Sequence, residues 1–190
     1  MKTKANFRAI KLGFALAVIA GCLPQTTLAG RQIIPATGCQ VWGGDSNHAD
    51  YITYSQFGKV INTHENLRIS VVCPIPRLNQ SNSANWVRVY YEDYNPLSYG
   101  RGDLMCRLQS NYANGNGAFD WLINATDGTD VDIGFFTFTN VTAAGGPANF
   151  PRNYTMFCTL PPAYWLYNEK KFVFSSIGSI VIDERNSETH

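Results

Sequence analysis

The side chains in this sequence that are best suited to chemistry are aromatic rings. The chain contains 10 Tyr, 4 Trp and 11 Phe among its 190 residues. Tyr94, Tyr99 and Trp165 fall in or beside predicted loops. Such rings present an apolar face and a polar tip, which suits them to stacking on the apolar faces of sugar rings. The sequence therefore predicts a glycan-binding surface that includes these three residues, whereas most of the other rings are expected in the core.

The densest group of acidic side chains is typical of a calcium-binding loop or of a solvated turn. Asp127, Asp130 and Asp132 lie within six residues of one another, just before a predicted strand. Calcium prefers several carboxylate and carbonyl oxygens at loop positions. The spacing differs from that of the EF-hand loop, so calcium is the only cofactor that the sequence suggests and a solvated turn remains the alternative. A looser second group consists of Asp45, Asn47 and Asp50.

Sequence motifs for catalysis are missing. The chain has three histidines and contains no Gly-x-Ser-x-Gly elbow, no His-Glu-x-x-His pair and no phosphate-binding glycine loop. Glu92 and Asp93 are neighbours in the sequence, so on a strand their side chains would face opposite sides. We therefore expect a protein that is not an enzyme, with a hydrolase of unrecognised site as an alternative.

Four cysteines in the body of the chain predict two disulfides. Cys39, Cys73, Cys106 and Cys158 are an even set, and no Cys-x-x-Cys pair suggests zinc instead. Four cysteines allow three pairings. We favour Cys39 with Cys73 and Cys106 with Cys158, because Cys106 and Cys158 each lie within a strand pattern and adjacent strands could join them.

The N-terminal segment has the composition of a secretory signal. A basic start without acids precedes a short apolar run from Leu12 to Leu23, and small residues follow. Two processing sites fit this pattern. Cleavage after Ala29 would make residues 1–29 a signal peptide, whereas the lipobox-like sequence before Cys22 would end a lipoprotein signal at residue 21 and make Cys22 a lipidation site.

The charge balance changes when this segment is removed. The whole chain has 15 basic and 14 acidic residues, and the first 29 residues contain four of the basic ones and none of the acids. The remaining chain has a net charge of −3, which argues against a nucleic-acid-binding protein. The sequence has no second long apolar stretch, so no integral membrane span is expected. We expect a secreted protein, or one in the periplasm or at the outer-membrane surface.

Alternating apolar and polar residues predict an all-β fold for residues 30–190. About eight short strands are separated by turns rich in Asn, Gly, Pro and Asp, which is typical of one antiparallel β-sandwich, with a jelly roll as its expected form. Weaker strands are expected at Gln40 to Trp42 and Lys59 to Thr63, with a β-bulge at Phe135 and Phe136. We also expect one short helical turn over Pro161 to Leu166 and an interruption near Gly178.

Short segments around the cysteines resemble those of a group of small exported bacterial proteins of unknown role. The segments are Cys73-Pro74-Ile75-Pro76-Arg77 and Cys158-Thr159-Leu160-Pro161, with a strand cysteine at Cys106 between them and Ser176-Ile177 near the end. The resemblance extends over most of the chain after the signal. It implies a secreted sandwich with paired cysteines, and it implies no catalytic residues.

These observations together favour a non-catalytic binding module, with a surface glycan as the ligand. A protein of the cell envelope is the alternative to a glycan as the binding partner. A structural subunit of a surface filament or coat is a second hypothesis. In that case the leader, residues Gly30 to Gly38, which is apolar apart from Arg31, would pair with the sheet edge of a neighbouring copy in self-association.

Overall fold

The computed structural model describes residues 30–43, 46–77, 84–95, 103–112, 118–126, 132–139, 141 and 152–184. Short 3-10 turns occupy Ala36–Gly38 and Ser46–Tyr51, and no helix in the described ranges is long and apolar enough to cross a membrane. The strands of these ranges are β1 (Arg31–Pro35), β2 (Gln40–Val41), β3 (Ile52–Tyr54), β4 (Val60–Asn62), β5 (Ile69–Ile75), β6 (Trp86–Asp93), β7 (Met105–Tyr112), β8 (Ala118–Ala125), β9 (Asp132–Thr139), β10 (Arg152–Leu160), β11 (Tyr164–Leu166), β12 (Lys171–Val173) and β13 (Ser176–Asp183).

The strands form two antiparallel sheets and one short hairpin. The six-stranded sheet has the order β3-β4-β13-β6-β9, with β1 also paired to β13, and the five-stranded sheet has the order β2-β5-β10-β7-β8. If the eight strands β4 to β10 and β13 are counted along the chain, one sheet contains the first, eighth, third and sixth, and the other contains the second, seventh, fourth and fifth. This alternation is the jelly-roll arrangement, so the predicted all-β sandwich is confirmed.

The core lies between the inward faces of the two sheets, as period-two alternation requires. The five-stranded sheet contributes Ile69, Val71, Cys73 and Ile75 from β5, Cys106 and Leu108 from β7, and Tyr154, Met156, Cys158 and Leu160 from β10. The six-stranded sheet contributes Val87, Val89 and Tyr91 from β6, Phe136 and Phe138 from β9, and Ile177, Ile180 and Ile182 from β13. Burial of these side chains is the main force that holds the two sheets together.

Both favoured disulfides are present. Cys39 pairs with Cys73, and Cys106 pairs with Cys158. Cys106 and Cys158 lie directly opposite each other in the pairing of β7 with β10, so the second bridge joins adjacent strands of one sheet. All four sulfurs are buried in the core.

Replacing Cys106 and Cys158 together by alanine is expected to lower the free energy of unfolding by about 3 kcal/mol. The bridge spans 52 residues, so its loss restores conformational freedom to a long loop of the unfolded chain. Urea unfolding of the oxidised protein would measure the change. A decrease below about 1 kcal/mol would contradict a stabilising role for this bridge.

Three local expectations from the sequence are wrong: the bulge in β9, the helical turn over Pro161 to Leu166 and the number of strands. β9 pairs with β6 without a register shift, so no bulge occurs at Phe135 and Phe136. Both faces of β9 are apolar: Phe136 points into the core and Phe135 to the outside, and no slip is needed to accommodate them. The register instead shifts between Ile177 and Ile180, as expected near Gly178, and between Gln109 and Ser110.

The segment Pro161 to Leu166 contains no helical turn. Proline and the residue before it favour extended backbone, so the two prolines keep this segment extended. It leads into β11, which pairs with β12. The expected count of about eight strands also omits several short ones in the described ranges. These are β1, β3 and β11, each too short to show a clear alternation. The eight-residue β8 is also missing from the expected set. The weak strands near Gln40 and Lys59 are present as β2 and β4.

The leader pairs within its own chain. Its residues Arg31 to Pro35 form β1, which runs antiparallel to β13 from Asp183 to Ser179. The backbone N–H of Glu184 also donates to the carbonyl oxygen of Gly30 at 3.2 Å. β13 therefore occupies one edge of the leader within the chain, and the expectation that the leader pairs with the sheet edge of a neighbouring copy stays a prediction.

Candidate functional site

A groove lies beside the β11–β12 hairpin, at one end of the sandwich. It has a cavity volume of about 370 Å³, which is within the size range of small-ligand sites. We call it the aromatic groove. Its lining consists of Glu65, Asn66, Asn95, Pro162, Ala163, Tyr164, Trp165, Tyr167 and Phe172.

The hairpin supplies the rings of the groove. Trp165 of β11 lies opposite Phe172 of β12, and the two ring centroids are 4.8 Å apart in an edge-to-face arrangement. Tyr167 follows β11 in the turn and is 80% exposed. Lys170 closes this turn with a positive φ of 51°. The cross-strand contact fixes the orientation of the Trp165 ring while part of the ring remains accessible.

Buried polar contacts hold the floor of the groove, Pro161 to Ala163, in place. The side chain of Asn62 is fully buried, and its Nδ2 donates to the carbonyl oxygens of Pro161 at 2.9 Å and Leu67 at 2.8 Å. The backbone N–H of Ala163 donates to the carbonyl oxygen of His64 at 2.8 Å. One amide therefore joins the floor to the loop after β4, which forms one wall.

A second amide fastens the opposite side of the floor. Asn95 follows β6, and its Nδ2 donates to the carbonyl oxygen of Pro162 at 3.3 Å. Its backbone N–H donates to Oδ1 of the buried Asp93 at 3.1 Å, and the hydroxyl of Ser175 donates to the same oxygen at 2.6 Å. The floor is thus tied both to β6 and to the segment that leads into β13.

The polar wall of the groove contains Glu65 and Asn66, whose side chains are exposed. His64 shapes this loop, because its Nδ1 accepts hydrogen bonds from the backbone N–H groups of Asn66 and Leu67, both at 3.0 Å. The His64 ring also contacts the ring of Tyr51, with 4.3 Å between centroids. The carboxylate and the amide are therefore presented on a loop whose backbone is fixed by local hydrogen bonds.

The three rings predicted for binding have different positions. Trp165 lines the groove. Tyr94 immediately precedes the groove residue Asn95 and is half-buried, and its backbone N–H donates to the hydroxyl of Ser175 at 3.1 Å. Tyr99 lies outside the described residues. The prediction that these rings bind a ligand stays a prediction.

Sequence reasoning missed the polar wall and Phe172. Glu65, Asn66 and Asn95 reach the groove only through the fold, because they lie about 70 to 100 residues before the hairpin in the chain. A local signal for the rings does exist. Trp165 and Tyr167 are two residues apart, with Phe172 following a polar turn, and two such runs around a turn are typical of a hairpin.

The predicted calcium residues are only partly described. Asp127 and Asp130 lie outside the described residues. Asp132, at the start of β9, accepts a hydrogen bond from the hydroxyl of Tyr91 at 2.6 Å. Within the described part of the chain, no three acidic, histidine or cysteine side chains are grouped closely enough to hold a metal ion. In the looser group, Asp45 is outside the description as well.

A separate pair of rings lies on the outer face of the five-stranded sheet. Trp42, directly after β2, is 57% exposed and contacts Phe157 of β10 edge-to-face, with 5.4 Å between ring centroids. The exposed Arg107 of β7 lies on the same face of the sheet. This pair is a natural comparison for the groove, because a tryptophan reaches the surface in both places: Trp42 is exposed and Trp165 is half-buried.

Comparison with known proteins finds similar solved structures only. No protein-family model matches the sequence, and no curated protein matches it. A xylan-binding module (CBM15) superposes with a TM-score of 0.45 and 12% identity, over 82% of this chain and 97% of that one.

Two further solved structures are similar. The family 11 carbohydrate-binding module of the cellulase Lic26A-Cel5E of Clostridium thermocellum has a TM-score of 0.35 and 10% identity, over 85% of this chain and 91% of that one. The xylan-binding module CBM86 of Roseburia intestinalis has a TM-score of 0.36 and 12% identity, over 80% and 94%. At these values, the function of this chain has to be inferred from its own residues.

Proposed function

We propose that this protein is an exported, non-catalytic binding module that holds a neutral glycan in the aromatic groove. The observation that supports this most strongly is the groove itself, where accessible rings from one hairpin line the same cavity as a carboxylate and an amide on a fixed loop. The two buried disulfides favour an oxidising location outside the cytoplasm. The protein would act in the secreted fraction, in the periplasm or at the outer-membrane surface.

The two kinds of side chain would contribute differently to binding. The rings of Trp165 and Tyr167 would cover the apolar face of a sugar ring and remove it from water. The Glu65 carboxylate and the Asn66 amide would form hydrogen bonds with the sugar hydroxyls at the opposite wall. Because the hairpin and the loop are both anchored to the floor, little ordering is required on binding, and this preserves affinity.

The charge of the lining selects neutral sugars. Among the described residues that line the groove, Glu65 is the one charged side chain. A sugar carrying a carboxylate or sulfate would meet a like charge at close range, which is unfavourable. A neutral sugar instead offers hydroxyl donors to the same carboxylate, and such charge-assisted hydrogen bonds are stronger than neutral ones.

The same lining favours binding without cleavage. Glycoside hydrolysis by the common routes needs two carboxyl groups that flank the bond, about 5 to 9 Å apart. Glu65 supplies one carboxylate, and the other described residues that line the groove are two asparagines, one proline, one alanine and four aromatic residues. We therefore propose that a bound glycan leaves the groove unchanged.

Replacing Trp165 by alanine is expected to weaken binding to neutral polysaccharides at least about fivefold, because stacking on an aromatic ring contributes on the order of 1 kcal/mol or more. Affinity electrophoresis against a panel of soluble neutral polysaccharides would measure it. Trp42→Ala is the matched control, since it removes an exposed tryptophan outside the groove. Retained binding by Trp165→Ala with lost binding by Trp42→Ala would move the site to the outer face of the five-stranded sheet and refute the groove.

A further inference from the structure

The outer face of the six-stranded sheet has side chains of a different chemistry. Arginines and aromatic rings alternate there on neighbouring strands, and we call this set the arginine–aromatic face. Its members are Arg31 of β1, Trp86, Arg88 and Tyr90 of β6, and Phe135 of β9. Phe135 is 49% exposed and Tyr90 is 39% exposed. This face is on the opposite side of the core from Trp42 and Phe157.

Arg88 is held between two rings. Its guanidinium carbon lies 4.1 Å from the ring centroid of Phe135 and 4.8 Å from that of Trp86. Its Nε donates to the hydroxyl of Thr137 on β9 at 3.1 Å. Among the described residues, no carboxylate forms an ion pair with Arg88, so within that part of the chain its charge has no counterion.

The other charged side chains that the structure describes on this side of the sheet are already paired. Lys59 forms an ion pair with Glu92. Arg31 lies 5.2 Å from the Trp86 ring centroid, and its Nη2 is 3.8 Å from the buried carboxylate of Asp183. The face therefore has a local excess of positive charge centred on Arg88, although the chain after residue 29 has more acidic than basic residues.

This arrangement suits an anion attached to a ring-shaped ligand. A guanidinium is planar and always charged, and its two outer N–H pairs match the geometry of a carboxylate or sulfate. Packing between two rings fixes the guanidinium before a ligand arrives, which reduces the entropy lost on binding. Tyr90 and Phe135 beside it offer exposed ring surface to the apolar part of the same ligand.

We propose that the arginine–aromatic face is a second binding site, specific for an acidic polysaccharide whose carboxylate or sulfate contacts Arg88. This site does not depend on the aromatic groove, because the two surfaces share no residue and the groove favours neutral sugars whereas the face favours acidic ones. The protein would then contact two kinds of polysaccharide at once, a neutral one at the hairpin end and an acidic one on the sheet face.

Affinity electrophoresis in polygalacturonate, in dextran sulfate and in neutral hydroxyethylcellulose would test this at low ionic strength. We expect wild-type protein to be retarded by at least one of the two acidic polymers. Arg88→Gln should weaken that retardation at least about tenfold, and Arg88→Lys should lose part of it because an ammonium lacks the planar fork. The two acidic polymers distinguish carboxylate from sulfate as the preferred anion.

Arg107→Gln is the matched control, because it removes the same charge from an exposed arginine on the opposite sheet. It should leave retardation within about twofold of wild type. Near-ultraviolet circular dichroism would show whether each variant is folded. Equal losses for Arg88→Gln and Arg107→Gln would indicate diffuse charge attraction and overturn the proposal.

Two other results would also overturn it. One is absence of retardation of wild-type protein by both acidic polymers. The other combines two observations: sedimentation velocity shows a dimer that Arg88→Gln dissociates, and neither acidic polymer retards the wild-type protein. The face would then be an interface between copies. Retardation of the wild-type protein by the neutral polymer measures binding in the groove. If the neutral polymer does not retard the protein but an acidic one does, the proposed function is refuted and the second site is supported.

Discussion

Replacing Asp93 by alanine is expected to lower the free energy of unfolding by about 4 to 5 kcal/mol. The carboxylate is 1% exposed and accepts four hydrogen bonds. Oδ1 accepts from the backbone N–H of Asn95 and the hydroxyl of Ser175. Oδ2 accepts from the backbone N–H of Leu104 at 3.1 Å and the hydroxyl of Thr126 at 2.7 Å. Alanine would remove the acceptor of the buried Ser175 and Thr126 hydroxyls and of the Asn95 N–H, whereas the Leu104 N–H would keep the Thr126 hydroxyl at 3.0 Å. Thermal and urea unfolding would both measure the loss.

Asp93→Asn sharpens this test, because it keeps the shape but replaces one acceptor oxygen by an NH₂ group. That group would face a donor on either side of the carboxylate, so we expect a loss of about 2 to 3 kcal/mol. Glu92→Ala is the matched control. Its carboxylate pairs with Lys59 near the surface, and such pairs contribute at most about 1 kcal/mol. An effect of Asp93→Ala no larger than that of Glu92→Ala would contradict the role given to Asp93.

The second large effect is expected from Arg77→Met, at about 4 kcal/mol of lost unfolding free energy. Arg77 Nε donates to Oε1 of Glu184 at 2.6 Å, and both side chains are almost fully buried, at 0% and 1% exposure. The guanidinium carbon also lies 4.4 Å from the ring centroid of Tyr154. Methionine would preserve some packing but remove the charge that balances a buried carboxylate.

A double-mutant cycle separates the charge from the packing. The pair Arg77→Met with Glu184→Met removes both charges, and exchanging a buried ion pair for apolar side chains is often close to neutral. We therefore expect the double variant to be more stable than Arg77→Met alone, by at least about 1 kcal/mol. Chemical unfolding of the four proteins provides the coupling energy. A double variant less stable than Arg77→Met would argue against charge balance as the cause.

The sheets were predictable from the sequence because their inward positions alternate. β5, β7 and β10 place apolar residues at every second position, and the cysteines within that pattern indicate how strands pair. The bulge expected in β9 is absent, and the expectation arose because Ile133 and Phe135 are apolar on its outer face as well. Periodicity alone cannot distinguish such a two-faced strand from one with a bulge.

The candidate sites were less predictable, since they depend on residues that the fold brings together. Trp165 could be selected from its type and its loop-like neighbourhood. Glu65 and Asn95 could not, because their positions at the groove follow from backbone contacts made by the buried Asn62 and by Asp93. Arg88 resembles any strand arginine until the pairing of β6 with β9 places Phe135 beside it.

Binding of a neutral glycan in the aromatic groove would be seen in the backbone-amide chemical shifts recorded during titration with a neutral oligosaccharide. The oligosaccharide would be a fragment of the polysaccharide that retards the wild-type protein most strongly. We predict that the largest shifts fall on residues 64–66, 163–167 and 172. Largest shifts around Trp42 and Phe157, with the hairpin unaffected, would contradict the claim.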